Sequence, residues 1–151
     1  MKHMKKLLIF SLFLLLPLTA TAMPTASLTL VTQGGKTVPL KVWVADTFAT
    51  RKQGMMHRTD WKGYDGMWFD FGDDAPRSMW MKDTPLPLDM LFVDYQGIIR
   101  AIVSHTTPYS LETIQPNVSV RYVLEVPAGD SEKHAITTGD RIQWSDTSSA
   151  P

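Results

Sequence analysis

Lys82 and Asp89 lie in SMWMKDTPLPLDM, residues 78–90, a stretch that otherwise reads as the inside of a protein. An ammonium and a carboxylate set among Trp, Met and Leu need compensation for lost water, either by pairing or by facing an opening. In an extended chain Trp80 and Lys82 project to one side while Met79, Met81 and Asp83 project to the other. If the methionines enter the core, Trp80 and Lys82 form an aromatic, cationic surface. Pro85 and Pro87 stiffen the return, since neither donates a backbone hydrogen bond and Leu86 is held extended by the proline after it. The expectation is that the Thr84–Pro87 bend brings Lys82 and Asp89 together at the rim of a pocket whose aromatic floor includes Trp80.

Arg121 and Glu125 extend the candidate set. They share a face of VSVRYVLEV but stand about 13 Å apart at strand rise, too far to pair with each other. Arg51, Lys82 and Asp89 are the available partners. Should these groups converge, Lys82 and Arg51 would anchor an anionic or carbonyl group and Trp80 would supply apolar contact, which describes a binding module. A second chemistry is hydrolysis, with Asp89 and Glu125 as acid and base if burial separates their proton affinities. A third is handling of Cu(I) or Ag(I): Met55, Met56 and His57 are adjacent, Met79 and Met81 bracket Trp80, and thioether sulfur suits soft cations. Methionine is equally an ordinary gap filler in cores.

The chain shows no Gly-x-Ser-x-Gly elbow and no His-Glu-x-x-His, and with no cysteine it has no thiol chemistry. His57, His105 and His134 are scattered. A binding module is therefore favoured over an enzyme, and neither a cofactor nor a metal site is assigned. The expected partner is a small anionic or polar molecule or another envelope protein.

The elements that must position these residues are mostly strands. In VPLKVWVAD, Leu40, Val42 and Val44 share one face; in GMWFDF, Met67, Phe69 and Phe71 alternate with Trp68 and Asp70. LDMLFVDYQGIIRAIVSH reads as a hairpin turning at Tyr95-Gln96-Gly97, and RIQW as a final strand. Asp46 or Thr47 caps a short helix over TFATRKQ that stops at Gly54, and Asp130 or Ser131 caps a second over SEKHAI. Short strands broken by Gly and Pro imply a mainly β domain (α+β in class), barrel-like or sandwich-like, with one or two short helices. HTTPYSLETIQPN, residues 105–117, lacks a period and has the length of a lid or binding loop.

The chain has 151 residues, room for one domain. MKHMKK followed by LLIFSLFLLLPL and TATAMP reads as a removable signal over residues 1–22, with Ala20 and Ala22 at the cleavage positions. Residues 23–37 then form a lead-in and first strand, 38–145 a single globular domain, and 146–151 a frayed tail. The address is export, to the periplasm in a Gram-negative cell, with no membrane contact after the signal leaves. Losing Lys2, Lys5 and Lys6 reduces the 15 basic residues to 12 against 15 acidic ones. A mildly acidic chain is a poor partner for nucleic acid.

Four segments together resemble the family called domain of unknown function 192: TRKQGMMHR, YDGMWFDF, SMWMKDTPLPLDMLFVDYQGII and VRYVLEVPAGDSEKHAITTGDRI. The most specific element is WMKDTPLPLD. The resemblance spans roughly residues 40–144 and implies a compact, mostly β domain, often exported, with no established activity. Met55 stands where the family usually has leucine, Met79 where it has an aromatic, and Asp83 where asparagine is common. Thr50 replaces the acidic residue that commonly closes the first helix's capping box.

Overall fold

A computed structural model describes residues 22–144. The expected signal lies outside that range except for Ala22, and the expected tail lies outside it entirely. The described chain runs β1 (Thr25–Val31), β2 (Thr37–Ala45), α1 (Phe48–Gln53), β3 (Gly66–Pro76), β4 (Leu88–Val93), β5 (Ile99–Val103), β6 (Ser119–Pro127), α2 (Asp130–Lys133) and β7 (Arg141–Trp144). All seven strands join one sheet in the order β5-β4-β6-β3-β2-β1-β7. Only β2 and β3 run parallel. Parallel neighbours require a crossover, and the one here carries α1.

The sheet curls into a half-barrel whose two edge strands meet at one end. There Ile98 bridges Arg141, and the Ile142 N–H donates to the Gly97 carbonyl at 2.7 Å. Gly97 has φ 83°, and a Cβ on it would lie 2.3 Å from the Ile142 carbonyl oxygen. The hairpin turn read from Tyr95-Gln96-Gly97 is thus also the seam of the barrel. The Asp94 carboxylate secures it by accepting the Gln96 and Ile98 N–H groups and an Arg100 guanidinium hydrogen bond.

Both faces of the sheet are covered. The concave face packs Leu30, Val42, Trp68, Leu91, Tyr122 and Ile142 among others. The convex face packs Met67, Phe69, Met81, Met90, Phe92 and Val123 beneath α1 and the loops. This is why β4 is buried at all six positions rather than alternating.

The helix ends show how neighbours substitute for expected caps. Thr47 caps α1, and the Thr50 hydroxyl accepts the Thr47 N–H at 3.0 Å, closing the capping box without an acidic residue. In α2 the expected side-chain cap from Asp130 or Ser131 is absent. The Asp89 carboxylate of β4 takes that place, accepting the N–H groups of Gly129 and Ser131, each at 3.0 Å.

The SMWMKD segment is not a strand. It makes one bridge, Met79 to Ile114, and then turns, with the Thr84 N–H returning to the Met81 carbonyl. Asp83 sits in that turn at φ 51°. Aspartate and asparagine are the side chains that best tolerate this left-handed backbone.

Candidate functional site

β6 brings Glu125 to the convex face. Register puts it directly opposite Met67 of β3 on one side and Met90 of β4 on the other. The row continues to Trp43 beyond Met67 and to Val103 beyond Met90. A carboxyl group in the middle of such a row loses its water and gains nothing: Glu125 is 3% exposed, and its Oε2 has no hydrogen-bond partner. Burial pushes the carboxyl up to about 8, so the group is largely protonated at neutral pH.

Glu125 opens to a cavity of about 100 Å³ between α1 and the segment around Met79. Phe69 and Phe71 of β3 share the floor with it. Arg51 of α1 and then Met55 and Met56 make one wall; Met79, Trp80 and Thr84 make the other. Gly54 ends α1 at φ 47°, where a Cβ would meet the Phe69 ring at 3.2 Å. Its lack of a side chain keeps helix and floor in contact while leaving the wall thin.

Of the expected site residues, the cavity gathers Arg51, Trp80 and Glu125. It does not gather Lys82, Asp89 or Arg121. Arg51 is also less free than its position suggests. Its Nη1 donates to the carbonyls of Asp46 at 2.6 Å and Asp70 at 2.8 Å, and its guanidinium lies 5.6 Å from the Phe71 ring centre.

The expected pairing of Lys82 with Asp89 does not occur. Lys82 is exposed beyond the Met81–Thr84 turn, with its Nζ 5.3 Å from the Trp80 ring centre. The aromatic, cationic surface is thus real, but Asp89 has no part in it. Asp89 lies in β4 with no exposed surface and accepts from His105 N, Gly129 N, Ser131 N and the Ser131 hydroxyl. Burial alone would raise its proton affinity, but these four donors outweigh it and hold the carboxyl below the ordinary aspartate value. Asp89 is architecture, tying two loops and α2 to the sheet. It also pairs in register with Val126, the neighbour of Glu125, so the two carboxyls point to opposite faces. They cannot flank one substrate bond.

Arg121 has a partner that its sequence neighbourhood does not suggest. Its Nε and Nη2 each donate to an Asp70 oxygen at 3.0 Å. Burial pushes the Asp70 carboxyl up, but Arg121 and the Gly72 N–H together bring it below its ordinary value. The visible signal was Asp70 itself, a charge interrupting GMWFDF. The 105–117 segment is no lid over the cavity either. Backbone bonds from Met81 to Ser110 and from Tyr109 to Thr84 strap it beside the Met79–Thr84 segment, and none of its residues lines the cavity.

A stability prediction separates these roles. Lys82→Met should change the unfolding free energy by less than about 1 kcal/mol, the scale of an exposed cation–π contact. Combined with Asp89→Asn it should give the sum of the single effects, measured by urea unfolding, since the residues share no partner. A coupling above about 0.5 kcal/mol would restore the ion pair.

A family model, DUF192, described as an uncharacterized ACR, matches residues 29–144. Among solved structures the chain is similar to a protein from Sinorhizobium meliloti 1021 described as a candidate transcription regulator. That match has 39% identity and a TM-score of 0.79, covering 82% of this chain and 96% of the other. It is also similar to a protein of unknown function from Novosphingobium aromaticivorans DSM 12444. There the identity is 25% and the TM-score 0.77, covering 83% of this chain and 89% of the other. No curated protein gives a significant match.

Proposed function

Because the chain belongs to the uncharacterized DUF192 family, its function has to be read from its own site, and we propose that it is an exported binding module whose small polar ligand seats in the cavity over Glu125. The observation that carries this reading is the unpartnered, buried Glu125 oxygen in that cavity. A buried polar atom without a partner costs about 1–3 kcal/mol, a cost retained where a ligand supplies the missing bond. The floor of Phe69 and Phe71 offers apolar contact, and the Glu125 hydroxyl offers one hydrogen bond.

The chemistry favours a polar or positively charged group over an anion. Glu125 is perturbed by burial alone, with no cation set against it. Arg121 is committed to Asp70 and Lys82 is outside, while Arg51, its Nη1 held by backbone carbonyls, and the exposed Lys52 lie along the wall. The candidate-regulator description of the Sinorhizobium neighbour offers little support for nucleic-acid binding here, since the mature chain carries fewer basic than acidic residues. Export rests on the basic, apolar and small-residue succession of residues 1–22.

The test is thermal unfolding of the mature chain against a panel of small envelope metabolites, amines and sugars, with Glu125→Gln alongside. A true ligand at about 100 times its Kd adds about 2.7 kcal/mol to stability. Glu125→Gln should lose most of that gain. A panel without effect, on protein shown to be folded, would count against the reading. The mass of the chain recovered from the cell envelope should begin at Met23 if the signal is removed as expected.

A further inference from the structure

Every methionine among the described residues lies on one side of the sheet. Met55, Met67, Met81 and Met90 are buried in the convex-face core, Met23 and Met79 pack against it, and Met56 lines the cavity there. The concave-face core, of similar size, contains none. Simple gap filling would scatter methionine over both faces, because both must be packed. Three of these methionines, Met55, Met56 and Met79, line the same cavity as Glu125 with its unpartnered Oε2.

We propose, resting on the reading of this cavity as a ligand site, that the ligand is a soft monovalent cation, Cu(I) or Ag(I), held by Met55, Met56 and Met79 with the Glu125 carboxylate as its counter-charge. Thioether sulfur is neutral and soft, and it selects Cu(I) over harder ions. No group of three His, Cys, Asp or Glu side chains is placed to hold a divalent metal among the described residues. Glu125 is the one carboxylate in a lining that also includes Arg51 and Lys52, so a singly charged ion is better compensated there than a doubly charged one. On binding, the carboxyl proton is released to solvent and the carboxylate takes the metal, so charge balances. Arg51, on the cavity wall, has its Nη1 anchored on the Asp46 and Asp70 carbonyls, which fixes the guanidinium but leaves its charge beside the site. Unbranched methionine side chains can swing to close a cavity wider than the ion.

Silver(I) in chloride-free buffer is the probe, because it stays monovalent in air. With methyl-labelled methionine in the mature chain, one equivalent should shift the Met55, Met56 and Met79 resonances and saturate, with a parallel change in Trp80 fluorescence at the cavity mouth. The Met55→Leu/Met79→Leu pair keeps core volume and should lower affinity by about 10–100-fold or more in chelator competition, the scale set by disturbing a metal's surroundings. Glu125→Gln should weaken binding while leaving the same resonances responsive. Unsaturated shifts spread over all methionines, or unchanged affinity in the folded double variant, would overturn the assignment. If an organic compound stabilises the protein through Glu125 and silver does not, the soft-ion assignment falls and the binding-module reading stands. If neither binds, both fall.

Discussion

Glu125→Gln should raise the stability of the free protein at pH 7 and flatten its dependence on pH. The sign follows from the folded carboxyl titrating at about 8 against 4.5 for the ordinary group. Below pH 4.5 the carboxyl is protonated folded or unfolded and contributes no pH dependence. Between 4.5 and 8 the unfolded chain ionises and the folded one does not, so stability falls as pH rises. Each tenfold difference in proton affinity between the two states corresponds to about 1.36 kcal/mol, giving a loss on the order of 3 kcal/mol by pH 7 and of 5 kcal/mol at its full extent. Glutamine keeps the shape without the titration. Urea unfolding of both proteins from pH 4 to 8 checks this: the curves should diverge steadily above pH 5. Parallel curves would show that Glu125 ionises freely and that the cavity is wetter than its lining implies.

Asp89 works in the opposite direction. Asp89→Ala should cost about 3–5 kcal/mol at neutral pH, because it removes a buried charge and leaves three backbone N–H groups and the Ser131 hydroxyl without their acceptor. The measurement is again urea unfolding, with an unchanged denaturant slope showing that the same surface is exposed. A loss under about 1 kcal/mol would mean that water replaces the carboxylate readily. Its folded proton affinity is depressed, so the stability it supplies is complete above the ordinary value of 3.8 and disappears as pH falls through the folded one. Asp70, also depressed, adds to the acid side. The two slopes meet, and maximum stability should fall near pH 4–5.

The strands were legible because their periodicity records local facts: Leu40, Val42, Met67, Phe69 and the hairpin at Gly97 all sit as their pattern implies. The sheet's curl and its single parallel pair were not, since those depend on which distant strands meet. The site divided in the same way. Glu125 could be singled out as a charge in a core strand, and Trp80 as neighbour to Lys82. The error lay in pairing charges by nearness in sequence. Asp89 follows Lys82 closely, yet its donors come from residues 105 and 129–131, and Arg121 reached back to Asp70. Backbone N–H groups carry no letter in a sequence, so a carboxylate satisfied by them looks as needy as one satisfied by nothing. That is why Asp89 and Glu125 appeared equivalent and proved opposite.

The barrel seam sets an order of events during biosynthesis. Among the described residues β7, the last strand, pairs with β1, the first, and its neighbour Asp140 helps close the edge at Ile99. Until residues 141–144 exist, β1 and β5 both present open edges, the surfaces on which strands from other chains add. Pairings between the two ends of the chain are slow to form because a long loop must close first. The seam of a nascent chain therefore cannot close until residues 141–144 have been made. Under the export proposed above, that delay would be an asset, because a barrel still open at its seam is easier to thread through a narrow channel than a closed one.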